Sequence, residues 1–467
     1  MDNRSFDLAI IGAGPGGYVA AIRAAQLGLR TVLIEKGELG GTCLNVGCIP
    51  SKALLQSTEH FAFIKDGART HGVESDGVRF DLGRMLQRKE GVITSMRKGV
   101  SQLVKSRGAE ILKGRAFIER AGLLKVMTSE GEIAVDAKNI LIATGSVPVG
   151  LPFLPFDGNH VVSSTEALSF ESVPERLLVV GGGAIGLEMA SIWSRLGAEV
   201  TVLEFLPRIA PASDAEVATA LEKLLIRQGI RISTATRITG GTASASGVTL
   251  EAVKGDEALS FSGDKVLVAV GRKPFTGDLG LESVGVARDS KGRIGVDERF
   301  STNIPGIYAI GDVISGPMLA HKAEEEGIVF AERLAGQVSP LHPEHIPSVI
   351  YTDPEVASVG LSEDDAIARF GEVKVGRFSV AANGRAIASG HASGMVKLIS
   401  LAKDDRLLGV HILAHGASEL IASAVAHMTY GGSAEDLART VHAHPTLSES
   451  LREAALSADN RPIHALR

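Results

Sequence analysis

The sequence predicts an α/β protein: two parallel-sheet domains of one type, then a C-terminal α+β domain. Three observations carry this. A strand, glycine turn, helix and second strand occur in that order twice, starting at Gly12 and again at Gly181. The length of 467 residues accommodates about three domains at the usual ~150 residues each. The final ~120 residues alternate strand and helix patterns without any glycine fingerprint.

In the first unit, the apolar run Leu8–Ile11 leads into Gly12-Ala13-Gly14-Pro15-Gly16-Gly17, a helical stretch to Leu27 and a strand over Thr31–Glu35. In the second, Leu177–Val180 leads into Gly181-Gly182-Gly183-Ala184-Ile185-Gly186, a helix to Leu196 and a strand over Glu199–Glu204. Both units place an acid 23 positions after the first glycine, and both end the helix on a glycine, Gly28 or Gly197, where a left-handed cap is expected. These are Rossmann-like dinucleotide-binding fragments. The first glycine permits the tight turn, the second admits a pyrophosphate to the backbone, and the third lets helix and strand pack closely. The phosphates then face the positive end of a helix, and the acid accepts hydrogen bonds from an adenosine ribose.

Between the repeats, Arg115–Val149 reads as a strand hairpin followed by a return strand ending in Ala143-Thr144-Gly145. A matching strand after the second repeat ends in Val270-Gly271-Arg272, and Gly306–Asp312 reads as a buried strand closed by a carboxylate. Boundaries near 147–150, 272–274 and 343–347 divide the chain into 1–148, 149–271, 272–344 and 345–467.

Composition removes several function classes. The net charge is −6 with no basic stretch, so nucleic acid is not an expected partner. No run approaches the ~20 apolar residues of a membrane span. The apolar strand pattern begins at Asp7, which leaves no room for a signal or transit peptide and makes a cytoplasmic location the expectation. Only two cysteines occur, Cys43 and Cys48. A secreted disulfide scaffold would show more, and two ligands do not make a zinc site, so no metal is expected. A close pair in such a chain points to redox chemistry.

That pair lies in Gly40-Gly41-Thr42-Cys43-Leu44-Asn45-Val46-Gly47-Cys48-Ile49-Pro50-Ser51-Lys52. Residues five apart on a regular helix point about 140° apart, so a bond between these sulfurs requires an irregular turn. Pro50 is tolerated only early in a helix, which places Cys48 near a helix N-terminus, where thiolate is favoured. A dithiol exchanges electrons with a nicotinamide only through a hydride acceptor. Two dinucleotide sites and one dithiol therefore imply a flavin in one site and a pyridine nucleotide in the other.

With those motifs, and with His442-Ala443-His444-Pro445-Thr446-Leu447-Ser448-Glu449 near the C-terminus, the chain resembles the pyridine nucleotide–disulfide oxidoreductases over essentially its full length. The resemblance implies an FAD domain at 1–148, an NAD domain at 149–271, a central domain at 272–344 that returns to the FAD domain, and a dimerisation domain at 345–467. Gly12, Gly14, Gly17 and Glu35 would hold the FAD adenosine diphosphate, with Thr144 and Gly145 at the neighbouring strand end. Asp312 would take the ribityl chain, and Met318, Ala320 and His321 would begin a helix beneath the flavin. Lys52 would lie beside the flavin, paired with Glu188. Gly181, Gly183, Gly186, Glu204, Val270 and Gly271 would hold the nicotinamide nucleotide. Glu204 suits a free ribose 2′-hydroxyl and so favours NAD over NADP, with Arg208 nearby tempering that preference.

The same resemblance makes Cys43 and Cys48 a redox disulfide and His444 with Glu449 an acid–base pair. His444 would reach the disulfide of the other subunit of a homodimer, so each active site would be shared. It implies an enzyme serving cell redox homeostasis that oxidises a dihydrolipoyl group on a separate carrier protein and reduces NAD⁺. The carrier would be a 2-oxoacid dehydrogenase or glycine cleavage component. The alternatives are an NAD(P)H-dependent reductase of another disulfide and a non-catalytic redox-sensing flavoprotein.

Overall fold

The computed structural model describes residues 4–465. The chain forms two compact units, each assembled from separate stretches: 1–53, 84–149 and 271–341 in the first, and 54–83, 150–270 and 342–467 in the second.

The first unit is built on a seven-stranded sheet. Its parallel part runs Glu110–Lys113, Thr31–Glu35, Arg4–Ile11, Gly131–Ile142 and Ile307–Ala309. The antiparallel hairpin Arg115–Arg120 and Leu123–Thr128 continues it from the other half of Gly131–Ile142. That strand starts earlier than its apolar run at Asn139 indicates: one half extends the hairpin and the other enters the parallel sheet. Ile10 lies opposite Leu33 and Leu141 and is fully buried with Leu8 and Ala9. The unbroken apolar run follows from burial on both faces. Over this sheet, helix Pro15–Gln26 meets helix Ala320–Leu334. A Cβ on Gly327 would fall 2.6 Å from the Gly16 carbonyl oxygen, and one on Gly16 would fall 2.9 Å from that of Ala323. Two glycines therefore set how closely these helices approach.

The second unit contains three sheets. Arg231–Ser233, Glu199–Leu203, Arg176–Val180, Lys265–Val268 and Val161–Val162 form a parallel five-stranded sheet, with helix Ala184–Arg195 leaving the Gly181 turn. Thr236–Ser244, Gly247–Lys254 and Glu257–Gly263 form an antiparallel meander. Ser348–Ile350, Glu355–Gly360, Leu407–Ala414, Met395–Leu401 and Val373–Ser379 form an antiparallel sheet in that order. Helices Ala417–Thr429 and Glu449–Ala458 contribute to its core with Ile421, Leu451 and Ala454. Residues 54–83, which continue helix Cys48–Ala62, group with this unit and not with the first. Among the described residues, no helix is long and apolar enough to cross a membrane.

Candidate active site

The two glycine turns repeat one another in atomic detail. Gly12 has φ +102° and Gly181 has φ +111°, conformations that penalise any Cβ. A Cβ on Gly12 would sit 2.5 Å from the Ala143 carbonyl oxygen, and one on Gly181 would sit 2.4 Å from that of Ala269. The helix glycines are tighter still: Cβ atoms on Gly17 and Gly186 would approach the Gly12 and Gly181 oxygens to 1.9 and 2.0 Å. Gly14 and Gly183 instead face open space, with only Gly41 as near as 4.0 Å to the first. They are the N-caps of helices Pro15–Gln26 and Ala184–Arg195, and neither helix has a side-chain cap. Uncapped amides beside an open glycine suit a pyrophosphate.

Each acid braces its own turn. Glu35 accepts the Ala13 amide at 2.7 Å through Oε2 and the Gly37 amide at 2.7 Å through Oε1. Glu204 accepts the Gly182 amide at 2.6 Å and the Leu206 amide at 2.7 Å in the same way. Glu35 also lines a cavity with Gly12, Lys36, Arg115, Thr144 and Phe275 at the ends of the parallel strands.

Beside the first turn stands the cysteine pair. Helix Gly41–Val46 ends at Gly47, whose φ −142° and ψ −112° leave helical geometry, and helix Cys48–Ala62 starts at once. This is the irregular turn that the five-residue spacing demands. Both cysteines are half-buried, and their sulfurs lie within hydrogen-bonding reach of one another. That contact, burial, and the charges of Cys48 and Glu324 push the Cys43 thiol well above its usual range, with Lys52 pulling the other way. The Gly40 amide donates to the Ala13 carbonyl at 2.8 Å. A Cβ on Gly41, which has φ +58°, would fall 2.6 Å from the Gly14 Cα. The redox turn and the nucleotide turn are therefore locked together. Asn45 adds bonds of 3.0 and 2.8 Å to the Leu39 and Gly41 carbonyls.

Asp312 lies in the turn Gly311–Val313. It accepts the Ser146 hydroxyl at 2.5 Å, and Ser146 accepts Arg272 Nε at 2.7 Å. Thr144 donates to the Phe275 carbonyl at 2.6 Å, and Gly145 has φ +73°. Met318 precedes helix Ala320–Leu334, whose N-terminus lacks a side-chain cap, with His321 exposed in its first turn. The turn at Asp312 is held by residues that carry no sequence signal. Buried Lys322 and Glu326 pair at 3.0 Å; Lys322 donates to the Gly311 carbonyl at 3.0 Å, and Glu326 accepts the Gly311 amide at 2.7 Å. Burial raises the Glu326 carboxyl against the opposing pull of Lys322 and that amide. In sequence, Lys322 and Glu326 belong to His-Lys-Ala-Glu-Glu-Glu, which looks like a solvated helix face.

In the second unit, Glu188 is buried and accepts the Tyr351 amide at 3.1 Å. Val270 is exposed two residues beyond strand Lys265–Val268, and Gly271, the first residue of the chain's return to the first unit, has φ +130°. His444 Nδ1 lies 2.9 Å from Glu449 Oε1, while Glu449 Oε2 accepts the Thr446 amide at 2.9 Å. Burial pushes the Glu449 carboxyl up, but the Thr446 amide and His444 outweigh it and hold it below the usual range. The His444 side chain is 79% exposed, so its ring is oriented by Glu449 and open on the other side. His442, by contrast, points a buried Nε2 to no partner among the described residues.

The description "pyridine nucleotide-disulphide oxidoreductase" matches residues 6–327, and the dimerisation domain of the same family matches 346–455. A mitochondrial dihydrolipoyl dehydrogenase of Pisum sativum is 47% identical over 462 residues, 98% of this chain and 92% of the relative. The Bos taurus mitochondrial enzyme of that name is 47% identical, covering 97% of this chain and 90% of its own. A leghemoglobin reductase of Glycine max is 46% identical, covering 99% and 89%. Among solved structures, LpdA from Mycobacterium tuberculosis superposes with a TM-score of 0.89 at 27% identity, covering 97% of this chain and 99% of the other.

Proposed function

The chain belongs to the pyridine nucleotide-disulphide oxidoreductases, and from that premise we propose that it oxidises protein-bound dihydrolipoamide to lipoamide while reducing NAD⁺ to NADH and a proton. It is an enzyme of the FAD-dependent disulfide oxidoreductase kind, and it uses a pyridine nucleotide. The observation that carries the reading is the thiol pair set across a helix break and locked to a nucleotide turn.

The residues divide the work. The glycines 12, 14 and 17, Glu35 and Asp312 hold FAD, and Gly181, Gly183, Gly186 and Glu204 hold the nicotinamide nucleotide. FAD, when bound, supplies the two-electron relay between the dithiol and the nicotinamide. In the oxidised enzyme, His444 takes a proton from one substrate thiol while Glu449 holds the ring and balances its charge. The substrate sulfur attacks Cys43 Sγ, the Cys43–Cys48 bond breaks, and Cys48 leaves as thiolate. The second substrate thiol attacks the mixed disulfide, closing lipoamide and freeing Cys43. Cys43 leaves as thiolate and takes up the proton of that second thiol, the first proton staying on His444, while Cys48 carries the negative charge at a helix N-terminus. NAD is the preferred nucleotide because a carboxylate at the end of the second strand, Glu204, suits a free ribose 2′-hydroxyl and repels a 2′-phosphate. His444 serves the partner subunit's disulfide in a homodimer.

An anaerobic titration of the holoenzyme tests this. Dihydrolipoamide should raise a long-wavelength charge-transfer band, which NAD⁺ should discharge as NADH appears. A flavin that stays oxidised with dihydrolipoamide yet is reduced by NADPH overturns both the substrate and the nucleotide.

A further inference from the structure

We propose a divalent transition-metal site, of the Zn²⁺ class, formed by His342, Glu344 and His345, outside the redox machinery. These three residues share a single 3₁₀ turn, Pro343–His345, for which His342 is the N-cap. In a 3₁₀ turn, side chains three apart eclipse one another, which puts both imidazoles on one side. Their rings are stacked, with centroids 5.2 Å apart and planes 20° from parallel. Glu344 Oε1 lies 3.8 Å from His342 Nδ1. One ligand atom from each residue can be chosen so that all three lie within 4.8 Å of one another.

A tetrahedral zinc ion with bonds of about 2.0–2.1 Å holds its ligands roughly 3.3–3.4 Å apart. The three groups must therefore close by at most about 1.5 Å, which side-chain torsions supply without moving the backbone. Two imidazoles and one carboxylate are a borderline donor set, suited to Zn²⁺, Ni²⁺ or Cu²⁺ and poorly matched to Mg²⁺ or Ca²⁺, which prefer all-oxygen sites. Three protein ligands leave a fourth position for water or an outside ligand. His345 Nδ1 also lies 3.4 Å from the Thr429 hydroxyl at the end of helix Ala417–Thr429. A hydrogen bond there steers His345 to present its other nitrogen, as outer partners of metal-bound imidazoles do. In sequence the group is His-Pro-Glu-His, easily passed over when metal ligands are sought only around cysteines.

The test is equilibrium dialysis of the tag-free holoenzyme against Zn²⁺, with Cys43 and Cys48 kept oxidised so that thiols do not compete. One ion per chain is expected in the native protein. His345→Ala and the double variant His342→Ala/His345→Ala should lose that ion, and Glu344→Gln should weaken its binding. His391→Ala, which breaks the other stacked histidine pair with His415, should leave the stoichiometry unchanged. Flavin content establishes that each variant is folded. As a second readout, Cu²⁺ bound to the native chain should show two-nitrogen hyperfine structure that collapses in His342→Ala. Absence of a Zn²⁺ equivalent in the native protein, or its retention in the double variant, overturns the site.

Discussion

At the scale of single residues, chemistry concentrates in a few atoms, and each can be removed separately. Cys48→Ser removes the sulfur released by substrate attack, so dihydrolipoamide turnover should vanish while FAD stays bound. Normal turnover in that variant excludes the disulfide mechanism. His444→Ala removes a general base, a loss of about 10²–10⁴-fold in kcat. Glu449→Gln should cost less, because it leaves the imidazole in place and removes only its charged partner. Steady-state kinetics with free dihydrolipoamide give both numbers. If His444→Ala keeps native kcat, proton transfer belongs elsewhere. The cysteine pair stands out in sequence because these are the chain's two cysteines, five apart in a glycine-flanked run, whereas His444 and Glu449 stand out only through the family resemblance. Ser146 and Arg272 are not legible, since each acts through a contact with residues more than a hundred positions away, and Lys322 and Glu326 are not, since they read as a charged helix face.

At the scale of elements, the two glycine turns have the same construction and make separable predictions. Gly12→Ala forces a Cβ into the Ala143 carbonyl at a positive φ, so the purified protein should lose its flavin absorbance. Gly186→Ala forces a Cβ to within 2.0 Å of the Gly181 oxygen, so it should keep FAD and the thiol reaction but lose NAD⁺ reduction. A Gly186→Ala protein with an unchanged KM for NAD⁺ places the nicotinamide nucleotide elsewhere. Such turns can be read directly, because backbone geometry tolerates one residue type there. Ion networks cannot. Buried Lys397 bonds to Asp214 at 2.9 Å and also reaches Glu216 and Glu363. Its place in strand Met395–Leu401 shows only a lysine interrupting an apolar run. Burial alone would raise the Asp214 carboxyl, but the Lys397 ammonium and the Glu363 amide outweigh it and hold it below 3.8. With the folded value depressed, its contribution is fully present above the ordinary carboxylate range and drains away as pH falls through the lower, folded value. Thermal midpoints should therefore drop more steeply between pH 5 and 3 in the native chain than in Asp214→Asn. At pH 7, Lys397→Met should destabilise by about 3–5 kcal/mol, the effect of stranding a buried charge. Thermal midpoints that fall in parallel with pH in the native chain and in Asp214→Asn would refute the network's role.

At the scale of the whole molecule, the proposed sharing of each site between subunits has an arithmetic consequence. A Cys48→Ser chain and a His444→Ala chain are each inactive as homodimers, yet a mixed dimer contains one complete site and one doubly damaged site. Random re-association of equal amounts makes about half the dimers mixed, so about one quarter of native activity should return. No recovery after demonstrated subunit exchange means that each His444 serves its own chain. The repeat and the change of pattern in the last ~120 residues are visible in the sequence. The affiliation of residues 54–83 with the second unit is not, because helix Cys48–Ala62 runs across the division without a break in pattern.

The sheet that carries the first nucleotide turn joins strand Arg4–Ile11, through Gly131–Ile142, to strand Ile307–Ala309, and helix Pro15–Gln26 finds its packing partner in Ala320–Leu334. On the ribosome, strand Arg4–Ile11 is made long before its layer can close, because more than 300 further residues must first emerge. At translation rates of roughly 5–20 residues per second, that wait is about 15–65 seconds. Until then, the edge of strand Gly131–Ile142 that Ile307–Ala309 will cover, and one face of helix Pro15–Gln26, stay without their partners. The chain can therefore acquire its colour only late in synthesis, after the segment ending at Leu334 is free.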